Sequence, residues 1–62
     1  MKQGQILVVS CTGKKAIVNK PVEAKQLLAE YGRWAFAWAS DEKGHTDMVG
    51  FCNEKEQVVW KN

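Results

Sequence analysis

The segment Arg33-Trp34-Ala35-Phe36-Ala37-Trp38-Ala39-Ser40 constrains the fold more than any other part of the chain. Aromatic residues and alanines alternate in it. A period of two belongs to a β-strand, whose successive side chains point to opposite faces. One side of such a strand carries Trp34, Phe36 and Trp38, and the other carries Ala35, Ala37 and Ala39. A sheet built on it has one bulky face and one smooth face. The chain has 62 residues, and a domain of that size buries only about 60% of the surface its unfolded chain exposes. The largest rings are therefore expected inside, with the alanines outward.

The flanking sequence supplies the remaining elements. Residues 5–11 are aliphatic and β-branched, Thr12-Gly13-Lys14-Lys15 has turn chemistry, and 16–19 form a second apolar run, which together predict a β-hairpin. Lys20 precedes a proline and is pushed to extended geometry, while Pro21 suits the first helical position because its missing N–H would be unsatisfied there anyway. A helix should run to Tyr31, with Glu23 favourable in the first turn and Gly32 as the C-terminal cap. Its apolar stripe is Ala24, Leu27, Leu28 and Tyr31, with Glu23, Lys25, Gln26 and Glu30 on the wet side. After the aromatic strand come a polar loop at 41–45, a strand at about 46–52, a turn at 53–56 and a last strand at 57–61. The order ββαβββ predicts one α+β domain over residues 1–62, a single helix packed on a mainly antiparallel five-stranded sheet, with strand order left open.

Faces follow from pairing. A tight last turn with Asn53 opposite Glu56 sets Phe51 against Val58 and Val49 against Trp60, and the middle hairpin adds Trp38 against Val49 and Phe36 against Phe51. The expected core is then Trp34, Phe36, Trp38, Val49, Phe51, Val58 and Trp60 beneath Leu27 and Leu28. The outward face collects Ala35, Ala37, Ala39, Met48, Gly50, Cys52 and Val59, with Gln57 and Lys61 at its margin. Small side chains there admit close approach of another backbone, and Met48 adds adaptable contact. The reverse arrangement, with the helix over the alanines, would expose an aromatic platform instead.

Motifs for chemistry are sparse. Gly13-Lys14 lacks the upstream glycine spacing and the Ser or Thr after lysine that a phosphate-binding loop needs. His45, the only histidine, lies in a glycine-containing polar turn and reads as solvated, and Cys11 and Cys52 lack the paired spacing of a metal site. The two cysteines read as reduced, strand-buried small hydrophobes. Neither cofactor nor metal is expected, nor is the chain expected to be an enzyme, since nucleophile, base and orienting group are not found together. Asp41, Glu42, Asp47, Glu54 and Glu56 read as a solvated rim. No signal-type start or membrane-length apolar run is present, which predicts a cytoplasmic chain without membrane contact.

Charge is unevenly placed. Residues 1–20 hold Lys2, Lys14, Lys15 and Lys20 and no acid, whereas 41–62 set five acids against Lys43, Lys55 and Lys61. The leading expectation is a non-enzymatic protein-interaction module, of the kind phages and mobile elements use as small regulators or inhibitors of a larger cellular protein. It would act through Ala35, Ala37, Ala39, Met48, Gly50 and Val59 or an open sheet edge, with homodimerisation through the same surface as a further expectation. The alternative is a nucleic-acid-binding domain using Lys2, Lys14, Lys15 and Lys20 together with sheet aromatics.

Overall fold

The computed structural model describes residues 4–61. Strands β1 (Ile6–Val9) and β2 (Lys15–Val18) form the first hairpin, helix α1 (Pro21–Tyr31) follows, and β3 (Phe36–Ser40), β4 (Thr46–Cys52) and β5 (Val58–Trp60) complete the chain. All five strands join one antiparallel sheet in the order β2-β1-β3-β4-β5. This is the expected α+β architecture, and the order of strands is new. Among the described residues no helix is long and apolar enough to cross a membrane.

The helix begins and ends where local chemistry dictates. Lys20 is extended at φ −129° and ψ 141°, as a residue before proline must be, and Pro21 opens the first turn. At the other end Gly32 stands at φ 83° and ψ −157°, a region open essentially to glycine alone, and its N–H donates to the Leu28 carbonyl.

The three hairpin loops share one design. Ser10, Asp41 and Asn53 each donate their N–H to the carbonyl four residues on, at 2.8, 2.9 and 3.0 Å. Each also uses a side-chain oxygen to accept from backbone N–H groups of its own loop: Ser10 Oγ from Lys14, Asp41 Oδ1 from Lys43 and His45, Asn53 Oδ1 from Lys55 and Gln57. The fourth residue of every loop has positive φ, at Gly13, Gly44 and Glu56. This is the three-residue hairpin loop whose last position is left-handed. In the last hairpin it corrects the expected register. A two-residue turn would set Phe51 against Val58, whereas the longer loop pairs Phe51 with Val59 and Gly50 with Trp60.

A second correction concerns which face the helix covers. The buried hydrophobics among the described residues are Ile6, Val8, Ala24, Leu28, Ala35, Ala37 and Cys52, so α1 lies on the alanine side and not over the rings. Connectivity supplies the reason. Strands β2 and β3 both run antiparallel to β1 and flank it, so α1 must cross over β1 between two parallel strands. Such crossovers have one strongly preferred hand, which selects a side of the sheet regardless of side-chain bulk. The small residues then let the helix approach closely, and α1 touches all five strands.

Gly50 serves the same close packing. A Cβ built there would overlap the Trp60 ring, which lies across from it with Lys25 Nζ 5.5 Å from the ring centroid on the helix side. Trp60 and Val58 therefore join Leu27, Tyr31, Val18 and Val49 as partly buried packing around the core. Val49 itself is an extra residue in β4. The pairing steps from Ala37–Gly50 to Trp38–Met48 and leaves it unmatched, so the expected Trp38–Val49 pair is replaced by Trp38–Met48.

Candidate functional site

Pairing fixes what the helix-free face presents, because residues directly opposite across antiparallel strands share a side. From β2 to β5, one row reads Ile17, Leu7, Trp38, Met48, and the next reads Lys15, Val9, Phe36, Phe51, Val59. Eight of these nine side chains are apolar, and none is acidic. Ile17 is 57% exposed and Val59 41%, while the six between them are half-buried by their neighbours. Phe36 and Phe51 pack with ring centroids 6.4 Å apart and planes at 28°. Toward β5, Met48, Val49, Gly50, Phe51, Val59 and Lys61 line a shallow apolar hollow of about 60 Å³.

Trp34 lies in the turn between α1 and β3. Its N–H donates to the Cys52 carbonyl at 2.8 Å, and the Ala35 N–H closes the turn onto Gly32 at 3.3 Å. The residue has φ 65°, a left-handed conformation that costs a bulky side chain on the order of 1–2 kcal/mol. It is 49% exposed.

The residues expected to bind protein fall on both sides of the sheet. Ala35 and Ala37 are buried under the helix and Ala39 is partly buried at the rim of the same core, so these three do not present a surface, and Gly50, itself buried, borders the hollow with backbone alone. Met48 and Val59 lie on the open face. The face also contains Leu7, Val9, Ile17, Phe36, Trp38 and Phe51, three of which the sequence reading assigned to the interior. The signal that could have found them is the ββαβ connectivity, which forces the crossover to one side.

Among the lysines expected to meet nucleic acid, Lys14 and Lys15 lie at the β1–β2 end and are exposed, and Lys20 is exposed at the other end of β2. Lys2 lies outside the described residues. Of the three described lysines, Lys15 alone occupies a strand position on the open face.

Among the described residues, reactive groups do not converge. His45 Nδ1 lies 3.7 Å from Asp41 Oδ2 in the exposed β3–β4 turn, a pair that is ionic only when the imidazole is protonated. Cys52 is buried, and desolvation, reinforced by the Glu56 carboxylate, pushes its thiol above the usual range. Cys11 is exposed, which corrects its expected burial, and both cysteines are free thiols. Among the described residues no three His, Cys, Asp or Glu side chains form a group able to hold a metal ion.

Searches among known proteins add no relative. No family model, curated protein or solved structure matches the chain.

Proposed function

We propose that this protein is a non-enzymatic interaction module that works by seating the open face of its sheet on another polypeptide. The observation that carries the reading is the row of eight apolar side chains, three of them aromatic, on the side the helix leaves uncovered. Interface centres are enriched in aromatic residues and methionine and poor in carboxylates, and this face has that composition. Occupation of a surface suits a small regulator or inhibitor, since it needs no catalytic group.

Photo-crosslinking in cells tests the reading. A photoreactive amino acid at Ile17 or Val59 should yield a polypeptide adduct, and the same group at Glu23 on the outer side of α1 should not. Absence of any protein adduct from both open-face positions, or equal yield from Glu23, would overturn it.

One observation favours a second reading. Half-exposed Trp34, the rings of Phe36 and Trp38, and Lys15 on a face without acids are what a single-stranded nucleic acid would need for stacking and phosphate contact. Quenching of tryptophan fluorescence by oligonucleotides, weakening steeply as salt rises, would assign the face that way.

A further inference from the structure

We infer that the occupant of the open face is a second copy of this chain, packed face to face about a two-fold axis that lies between the two sheets and runs along β3. The inference rests on the docking reading above and names its partner.

The monomer core is the first argument. Its largest fully buried side chains are Leu28, Val8 and Cys52, and no aromatic ring is fully buried. A single core this small leaves a thin stability margin, both cysteines are free, and a second copy would widen that margin by burying further apolar surface. A second copy supplies the missing half of the core.

Area is the second argument. Five strands about 4.8 Å apart and four to five residues at about 3.3 Å make a plate on the order of 350 Å² in projection. Two copies cover about 700 Å² in projection, and corrugation and the flanking turns raise the accessible area toward the roughly 1,000 Å² of a specific interface.

Charge placement selects the symmetry. The β1–β2 and β4–β5 turns lie at the same end of the sheet, because both adjoin the row in which Phe36 pairs with Val9 and Phe51. The first turn carries Lys14 and Lys15 without an acid, and the second carries Glu54 and Glu56 around Lys55. These turns sit at opposite edges of the strand order. A two-fold along the strands exchanges the edges but keeps the ends, so the lysine turn of each copy falls over the glutamate turn of the other, twice. Phe36 and Trp38 on the central strand then meet their own symmetry mates. The perpendicular in-plane axis would instead lay β2 on β2 with ends reversed, bringing Lys15 toward Lys20 of the other copy.

Sedimentation equilibrium of the whole chain up to about 500 µM, a range that captures weak dimers, should show a species of twice the 7.0 kDa protomer mass. Ile17→Lys with Val59→Lys should raise the dimer dissociation constant at least about 100-fold, because the proposed axis brings these edge-strand positions of opposite copies together and sets lysine against lysine inside the contact, while circular dichroism stays native because both sites are already exposed. At low salt Glu54→Lys with Glu56→Lys should weaken association about 10-fold. Glu23→Lys with Glu30→Lys, of identical net charge but on the helix, should leave it unchanged, and neither exposed pair threatens folding. A monomer throughout overturns self-association alone, and a cross-linked adduct of another mass then keeps the docking reading. A dimer indifferent to the Ile17 and Val59 changes overturns the assignment of the face to a second copy. Equal effects of the two charge pairs overturn the proposed axis, and oligonucleotide quenching of the monomer transfers the face to nucleic acid.

Discussion

Glu56 occupies the position that glycine fills in the other two hairpin loops, at φ 61° against 95° for Gly13 and 83° for Gly44. A Cβ is penalised there by roughly 1 kcal/mol, which glycine escapes. Glu56→Gly should therefore stabilise the protein by about 1 kcal/mol and raise its melting temperature by about 4–8 °C, read by thermal unfolding; a lower melting temperature would show that the carboxylate contributes more than the strain. Cys52 gives a second residue-level expectation. Its folded thiol stays neutral above the ordinary value of 9.0, where the unfolded thiol already ionises. Below that pH the group contributes no pH dependence, and above it the unfolded chain releases a proton the folded one keeps, so stability falls as pH rises. Denaturant titrations at pH 7 and pH 10 should show a smaller loss for Cys52→Ala than for the native chain. Asp41 and Asn53 act locally in turns readable from the sequence, whereas Ser10, read as part of the first strand, opens its loop in the same way.

Among the elements, α1 and the alanine side of β3 depend on each other. Ala37 is 0% exposed, opposite Val8 on one side and Gly50 on the other, with Leu28 fully buried in the same core. A side chain as long as arginine has no room there and would bury an unpaired charge, a loss of about 3–5 kcal/mol. Ala37→Arg should abolish the cooperative thermal transition rather than merely block a surface, and retention of a native near-ultraviolet spectrum would contradict this placement. Strand β4 shows a different dependence. Its extra residue, Val49, packs toward the helix-side core and its carbonyl accepts from the Lys61 N–H at 2.8 Å, fastening the end of β5. Alternation alone could not place such a bulge, because one inserted residue changes the pairing without changing the composition.

The whole molecule is a two-layer fold with only one side of its sheet covered. Helix and sheet seal the small-residue face, and the larger apolar volume stands on the other. If a second copy covers it, stability is linked to concentration: each tenfold rise in protein adds about 1.4 kcal/mol per mole of dimer. The melting temperature should climb by several degrees between about 5 and 500 µM, since about 1 kcal/mol moves a domain of this size by 4–8 °C. Scanning calorimetry at the two concentrations checks it, with Ile17→Lys plus Val59→Lys as the comparison that should show no climb. A concentration-independent transition in the native chain would mean that the open face is not covered by its own copy.

The elements themselves were fixed by local chemistry: Pro21 and Gly32 bound the helix, the alternation makes a strand over 36–40 although Arg33 and Trp34 at its start form a turn, and turn residues separate the others. These signals act over a few residues and can be read from the chain alone. The side of the sheet that α1 covers was decided by the strand order and the handed crossover over β1, both properties of distant pairings. Trp60 and Val58 do pack on the helix side as expected, but the additional loop residue parted them from Phe36 and Phe51, which lie on the opposite face. Periodicity tells which residues share a face, but only the tertiary path tells which face is inside, because bulk is not what steers a crossover.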